Sequence, residues 1–171
     1  IEEDTKKYLG YSDSAYKKAE QMLGSYKTSD KVIFVGLSLS AGHKIKEWPT
    51  ERFVTVAEYL VKSGATIVLV GGRGDESYSR EFFTKYKGDK SKVLNTIGLM
   101  CVEELKAFIS LLDLFISADT GPIYIAEAFG VPTVDIVGPV DEKEQAPIGK
   151  NHAVVIPPGL RVPQIHILNA K

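Results

Sequence analysis

The chain has 171 residues, of which 44% are hydrophobic and 25% charged, and a formal net charge of -1. The length and composition are typical of one globular domain, or at most two. The net charge near zero gives no overall electrostatic reason to expect nucleic-acid binding. The single cysteine excludes an internal disulfide framework and a cysteine-based zinc cage, and it is typical of a reducing compartment. No apolar run approaches the ~20 residues of a membrane span, and the first ten residues lack the apolar core of a signal peptide. Because the chain starts at Ile1 rather than Met, we expect it to be part of a longer protein.

The first thirty residues are rich in Lys, Glu, Ser and Tyr and have only a weak apolar pattern. Ser12 or Ser14 can cap a short helix that ends at Gly24. We expect this segment to be a connecting helix followed by a polar linker, and not to contribute to the core. The chain then divides into three parts: a connecting helix with a linker (1–30), a ligand-binding domain (31–156) and a tail without assignment (157–171).

From Lys31 onward, short apolar runs alternate with segments of helical periodicity. The predicted strands are 32–37, 65–70, 93–94, 114–117, 133–137 and 153–156. The predicted helices are 49–63, 76–87, 102–112 and 122–129. Parallel strands need helical crossovers, which cover both faces of the sheet. The sequence therefore predicts an α/β fold with a doubly wound, mostly parallel, Rossmann-like sheet.

Loops that leave the strands are the candidate ligand sites, because such sheets bind ligands outside the carboxyl ends of their strands. The first loop, residues 38–46, offers the hydroxyl of Ser40, the imidazole of His43 and the ammonium groups of Lys44 and Lys46. It ends just before a helix start, which attracts anions, so the two lysines could neutralise a diphosphate. The alternative is a solvated basic loop.

The second loop, residues 71–76, has three glycines in its first four positions. They permit a tight turn with positive φ, but the G-x-G-x-x-G dinucleotide fingerprint is absent. Glu76 could accept hydrogen bonds from ribose hydroxyls. A plain strand-to-helix turn is the alternative.

The third loop, residues 117–122, contains Asp119, Thr120 and Gly121 at the end of a buried strand. Pro122 would start a helix whose first N–H groups point at the loop and could cradle phosphate. Asp119 would repel phosphate directly, so we expect it to brace neighbouring amides or to cap the helix. A fourth loop, residues 138–141, favours a simple turn.

No constellation for metal or nucleophilic catalysis is present. The three histidines, His43, His152 and His166, are scattered, and none has a His-x-x-x-His partner. Cys101, near a helix start, is interpreted as a packing or capping residue. The G-x-S-x-G elbow of serine hydrolases is absent. We therefore predict no metal site and no covalent nucleophile.

Taken in order, these segments resemble the C-terminal half of glycosyltransferase family 9, the ADP-heptose:lipopolysaccharide heptosyltransferases. The resemblance covers roughly residues 31 to 150, and its strongest part runs from Ser117 to Pro132. Six motifs in the family's order carry it: Lys46-Glu47-Trp48-Pro49 with Arg52-Phe53, Val68-Leu69-Val70-Gly71-Gly72, Asn95-Thr96-Ile97-Gly98, Ser117-Ala118-Asp119-Thr120-Gly121-Pro122 through Ala126-Glu127-Ala128-Phe129-Gly130-Val131-Pro132, Val137-Gly138-Pro139 and Pro147-Ile148-Gly149.

The resemblance implies a GT-B fold, in which this chain would be the domain that binds an ADP-sugar donor. The missing N-terminal domain would supply the acceptor site and the catalytic base, so the isolated chain is expected to be inactive. Transfer of heptose or a related sugar to a lipopolysaccharide-type acceptor would invert the anomeric centre without a metal or cofactor. The resemblance further implies a cytoplasmic enzyme that meets a lipid-linked acceptor at the inner face of the inner membrane, without stable membrane insertion.

The resemblance also implies roles for individual residues. Lys46 and Ser40 would contact the donor phosphates, and Asp119-Thr120-Gly121 would lie against the diphosphate. Glu76 would contact the ribose, and Met100 would lie beside the adenine. One position departs from the family pattern Asp-[Ser/Thr]-Gly-x-x-His: Tyr124 stands where the histidine is expected. Tyrosine keeps a hydroxyl donor but carries no positive charge at neutral pH.

Two alternatives remain beside a glycosyltransferase. A nucleotide-sugar epimerase of the same two-domain architecture would also bind a diphosphate in this half, although we find no convincing acid-base set for one here. A domain that binds nucleotide-sugars without chemistry is the other, and Tyr124 in place of histidine is the feature that favours it.

Overall fold

The computed structural model describes residues 9–27, 31–138, 147 and 149–156. The predicted tail at 157–171 and most of the predicted turn at 138–141 lie outside these residues. Six parallel strands form one sheet in the order β3-β2-β1-β4-β5-β6. The strands are β1 Phe34–Ser38, β2 Thr66–Val70, β3 Val93–Asn95, β4 Leu114–Ala118, β5 Thr133–Ile136 and β6 His152–Val155.

Helices cover both faces of this sheet. They are α1 Asp13–Gly24, α2 Thr50–Lys62, α3 Glu76–Lys85, α4 Val102–Ile109 and α5 Gly121–Ala128. The apolar side chains of α2 and α3 pack in the core on one face, and those of α1, α4 and α5 pack on the other. The prediction of a doubly wound α/β sheet is therefore confirmed. Within the described residues, no helix combines the length and apolar character needed to cross a bilayer.

The first helix belongs to the core, so the expectation that it stands outside is wrong. Ser12 caps α1 as predicted, accepting a hydrogen bond from the Ala15 amide at 3.3 Å. Ala15, Ala19 and Leu23 are buried in the same cluster as the apolar face of α4. These three residues recur every four positions, and two of them are alanines. We infer that a stripe this narrow suffices because small side chains let the two helices approach closely.

Replacement of Leu23 tests whether α1 contributes to the core. Leu23→Ala is expected to lower the free energy of unfolding by about 2–4 kcal/mol, because it deletes buried methyl groups and leaves a cavity. Gln21→Ala, at an exposed position of the same helix, should change stability by less than about 0.5 kcal/mol. Urea unfolding of both variants measures the difference, and equal midpoints would show that α1 is only a tether.

The strand order reverses between β1 and β4. The chain moves outward from β1 through β2 to β3 and then returns to place β4 on the other side of β1. Ser38 at the end of β1 is in register with Ser117 near the end of β4. The loops that follow these two strands therefore separate at one point of the sheet edge, which is where doubly wound folds form a ligand crevice.

Candidate functional site

An open cavity of about 410 Å³ lies at this reversal point. Its volume is in the range of small-molecule sites. Four segments of chain line it: the loop after β1 (Ser38, Ser40, Ala41, Gly42), the loop after β2 (Gly71, Gly72, Asp75), the approach to α4 and its first turn (Met100, Cys101, Val102, Leu105), and the start of α5 (Thr120, Gly121, Pro122). The fold therefore gathers three of the four loops proposed from the sequence around one hollow.

The predicted site residues divide into those that line the cavity and those that do not. Ser40, Met100, Thr120 and Gly121 line it together. The remaining predicted residues are not among the lining residues; these are His43, Lys44, Lys46, Glu76, Asp119 and Tyr124. His43 and Lys44 are exposed on the loop after β1. The ligand roles assigned to all ten residues stay predictions.

Lys46 and Asp119 form an ion pair next to the cavity. Lys46 lies at the end of a short 3-10 helix, Lys44–Lys46, and its Nζ is 2.7 Å from Asp119 Oδ2. The side chains are 16% and 5% exposed, so the pair is largely withdrawn from water. Asp119 directly precedes Thr120, which lines the cavity. Because an ammonium group has three N–H donors, pairing with Asp119 does not by itself exclude contact with a phosphate.

The second oxygen of Asp119 accepts a hydrogen bond from Tyr124. The Tyr124 hydroxyl lies 3.1 Å from Asp119 Oδ1. Burial, followed by the charge of Asp119, raises the pKa of this phenol above its ordinary value, so the hydroxyl remains a donor. The expectation that Asp119 braces loop amides or caps the helix is therefore wrong within the described residues. Its carboxylate instead holds together a side chain that follows β1 and a side chain of α5.

The start of α5 presents a limited set of donors to the cavity. Thr120 occupies the N-cap position, but its side chain makes no capping hydrogen bond. Its Oγ1 is buried and has no partner among the described residues. Pro122 has no N–H, and the N–H of Ile123 donates to the Thr120 carbonyl at 3.2 Å. The Gly121 amide is thus the donor at this helix start that we expect to face an anion, whereas the Thr120 hydroxyl is enclosed and unused.

The glycine loop after β2 does not use the positive φ that its glycines permit. Among the described residues, positive φ occurs only at Gly64, Gly98 and Gly130, so the turn at 71–74 does not depend on it. Gly71 serves another purpose: a Cβ there would lie 2.7 Å from Asp75 Oδ2, so the carboxylate would have to move. That oxygen accepts a hydrogen bond from the Gly72 amide at 2.7 Å. The absent side chain leaves room for the Asp75 carboxylate to fold back over the loop.

Two acidic residues of this loop are candidates to accept hydrogen bonds from ribose hydroxyls. Glu76, the predicted one, is on the first turn of α3 with its side chain 62% exposed and Oε2 3.7 Å from Arg80. Asp75, which sequence reasoning missed, lines the cavity. The sequence does contain a signal for Asp75, because an aspartate three residues after Gly72 is well placed to accept a hydrogen bond from the Gly72 amide.

An apolar wall closes the cavity on the side of α4. Met100 and Leu105 are partly buried against the core, whereas Val102 is 70% exposed. Cys101 occupies the N-cap position of α4, as its interpretation as a capping residue predicts, and its amide donates to Glu104 Oε2 at 2.9 Å. A planar ring of a ligand could pack against an apolar wall of this kind.

Asp135 is a buried acidic residue that the sequence analysis missed. It is 0% exposed in the centre of β5, and neither carboxylate oxygen has a hydrogen-bond partner in the described part of the chain. Burial, and then the charge of Asp119, raises its pKa to about 7, while Lys46 acts in the opposite direction. The only signal in the sequence was one charged residue within an otherwise apolar run.

Metal-binding chemistry is not indicated by the described residues. They contain no group of three or more His, Cys, Asp or Glu side chains placed to hold a metal ion. Apart from the Asp75 carboxylate, the polar groups around the cavity are hydroxyls, backbone amides and one ammonium group beside it. That donor set is suited to an anion.

Comparison with known proteins agrees with the resemblance in sequence. The family model described as glycosyltransferase family 9 (heptosyltransferase) matches residues 1–167. Lipooligosaccharide heptosyltransferase 2 of Campylobacter jejuni serotype O:6 (strain 81116) is 25% identical over 130 residues, which are 76% of this chain and 41% of that protein. The chain thus spans less than half the length of the curated relatives that it matches.

Solved structures give the same result for the fold. The glycosyl transferase family 9 structure from Veillonella parvula superposes with a TM-score of 0.82 at 23% identity, over 90% of this chain and 43% of that one. Escherichia coli heptosyltransferase WaaC with ADP superposes with a TM-score of 0.68 at 22% identity, over 92% and 47%. This likeness shows the fold, a Rossmann-like half of the GT-B architecture. By the family model that covers nearly its whole length, this chain belongs to glycosyltransferase family 9, the heptosyltransferases.

Proposed function

We propose that this chain is the donor-binding domain of a metal-independent inverting glycosyltransferase that transfers heptose or a related sugar from an ADP-sugar to a lipopolysaccharide-type acceptor. The observation that carries the proposal is the cavity at the strand-order reversal, where Ser40 of the loop after β1 meets Thr120 and Gly121 at the start of α5. Relatives named as heptosyltransferases support the reaction class, and one structural relative is described with ADP.

The two sides of the cavity suit the two ends of an ADP-sugar. The apolar wall at Met100 and Leu105 would take the adenine. Asp75 or Glu76 would accept from the ribose hydroxyls. The diphosphate would then lie across Ser40, Thr120 and the Gly121 amide, near the ammonium group of Lys46. Each part of the ligand would then meet a surface of matching chemistry.

The chemical task of this domain is to stabilise the leaving nucleoside diphosphate. When the bond to the anomeric carbon breaks, negative charge grows on the diphosphate oxygens. Pre-positioned amides, hydroxyls and an ammonium group would stabilise that charge without a metal. The base that activates the acceptor would come from a domain outside this chain, and a lipid-linked acceptor would be met at the inner face of the inner membrane.

A single methyl group at the start of α5 tests the proposal. A Cβ at Gly121 would have no atom within 4 Å, so Gly121→Ala is expected to leave the fold intact. The added carbon lies at the cavity lining, where we expect it to obstruct the diphosphate and weaken ADP binding about tenfold or more. Isothermal titration calorimetry measures this change.

Gly24→Ala is the matched control, because a Cβ there also meets nothing within 4 Å and Gly24 lies at the end of α1. It should bind ADP like the parent chain. If the parent gives no heat at millimolar ADP, the proposed donor role is wrong. Equal affinities of the parent and Gly121→Ala would place the diphosphate elsewhere.

A further inference from the structure

A row of buried polar side chains runs across the sheet beneath α5. The register places Ser38 of β1 beside Ser117 of β4, and Ser117 beside Asp135 of β5. Side chains at such paired positions point to the same face of a sheet. All three residues are at most 3% exposed. Ser38 lines the cavity, so the row begins at the candidate site and ends at Asp135.

The inner part of this row has unused hydrogen-bonding capacity. Within the described residues, Ser117 Oγ and both oxygens of Asp135 have no partner. An isolated buried carboxylate is strongly unfavourable unless it is paired or protonated. The nearby carboxylate of Asp119 disfavours ionisation of Asp135. Lys46 favours it, but Lys46 already pairs with Asp119.

The charge balance of the cluster therefore depends on one proton. With Asp135 neutral, Lys46 and Asp119 cancel. With Asp135 ionised, the three side chains carry a net charge of about -1 beside the cavity. A diphosphate that enters would be repelled by that extra charge, in a setting where burial weakens screening. Anion binding and protonation of Asp135 must then favour each other, because linkage between two sites is reciprocal.

We propose that Asp135 is a positioning residue that takes up a proton when the site binds a diphosphate, and so keeps the Lys46–Asp119 pair available to the anion. The proposal rests on the proposed donor function. Other titratable groups face the same region from the neighbouring elements, and any test has to separate them from Asp135; they are Tyr124 and Glu127 on α5 and His152 on β6. Burial lowers the pKa of His152, which favours its neutral form, and a variant of this residue separates it from Asp135.

The test measures ADP-glucose binding by calorimetry at pH 6, 7 and 8. ADP-glucose is chosen because its diphosphate is substituted at both ends and does not titrate in this range, unlike ADP. Affinity of the parent chain is expected to fall about tenfold from pH 6 to pH 8. At pH 7, titrations in phosphate-free buffers of different ionisation enthalpy should show uptake of up to one proton.

Two variants separate Asp135 from its surroundings. Asp135→Asn cannot titrate, so its affinity should change less than twofold over the same range. His152→Gln removes the partly buried histidine of β6, which faces the same region, and should keep the full pH dependence. A His152→Gln profile that becomes flat while Asp135→Asn stays steep would overturn the proposal.

A direct titration keeps the proposal testable without any ligand or variant. Carboxyl ¹³C shifts of labelled parent chain should show one aspartate that titrates near pH 7, in place of the ordinary range near 4. If such an aspartate is present but ADP-glucose does not bind, the donor function fails and the buried acid remains. If ADP-glucose binds but no aspartate titrates above pH 6, the role of Asp135 is wrong and the donor function stands.

Discussion

Lys46→Ala is expected to lower the free energy of unfolding by about 3 kcal/mol, the largest effect of any single charged side chain near the cavity. The loss arises because Asp119, with its side chain only 5% exposed, would keep its charge without a cation. Removal of one member of a buried pair leaves an uncompensated charge, which costs far more than the net contribution of the pair. Urea unfolding at pH 8 measures the change.

Lys44→Ala is the matched control. Lys44 belongs to the same 3-10 helix but is exposed, so its removal should change stability by less than about 0.5 kcal/mol. Asp119→Asn added to Lys46→Ala should recover a large part of the lost stability, because it removes the stranded charge. Equal stability of Lys46→Ala and Lys44→Ala would show that the ion pair does not stabilise the fold.

The same variants separate stability from binding. We expect Lys46→Ala to weaken ADP-glucose binding about tenfold, the size of a lost charge-assisted contact. The double variant should fold well and still bind poorly, because it no longer has a stranded charge but still lacks the cation. Parent-like affinity in the double variant would mean that Lys46 is purely structural.

The order of elements could be predicted because each one has a local signal. Strands β1 and β2 are buried at every position and read as continuous apolar runs, and Phe53 and Ala57 repeat at helical spacing on α2. The helix at α5 was predicted as well, and Gly130 after it adopts a φ of +73°. Local periodicity and turn chemistry were sufficient for these features.

The electrostatic arrangement could not be predicted in the same way. Lys46 and Asp119 are 73 residues apart in the chain and meet only because β4 pairs with β1. Composition shows both residues, but only the completed sheet shows that they neutralise each other. The placement of α1 was missed for a related reason, since a stripe as narrow as Ala15, Ala19 and Leu23 becomes significant only when its partner α4 is known.

Asp135→Asn is expected to stabilise the chain at pH 8 by an amount that shrinks as the pH falls. Burial raises the pKa of Asp135 to about 7 in the folded chain, against an ordinary value of 3.8. Between these two values the folded state holds a proton that the unfolded state has released. Stability of the parent therefore decreases as pH rises through this window, and the loss levels off above about pH 7.

The size of the effect follows from the two pKa values. Between pH 5 and pH 8 the parent should lose roughly 2–3 kcal/mol through this group, whereas Asp135→Asn should not. The difference between parent and variant cancels titrations that both share. Urea unfolding at pH 5, 6, 7 and 8 measures it, and curves that remain parallel would contradict a raised pKa of Asp135 in the folded chain.

Asp89→Asn provides a control of opposite sign. The Asp89 carboxylate accepts hydrogen bonds from the Ser91 amide and hydroxyl, and these bonds lower its pKa. A lowered pKa contributes stability above the ordinary range of an aspartate, and that contribution is lost as pH falls through the folded value. Asp89→Asn should therefore be less stable than the parent by a nearly constant amount from pH 5 to pH 8. A gain in stability over the parent that increases with pH in Asp135→Asn, but not in Asp89→Asn, would identify Asp135 as the source of the pH dependence.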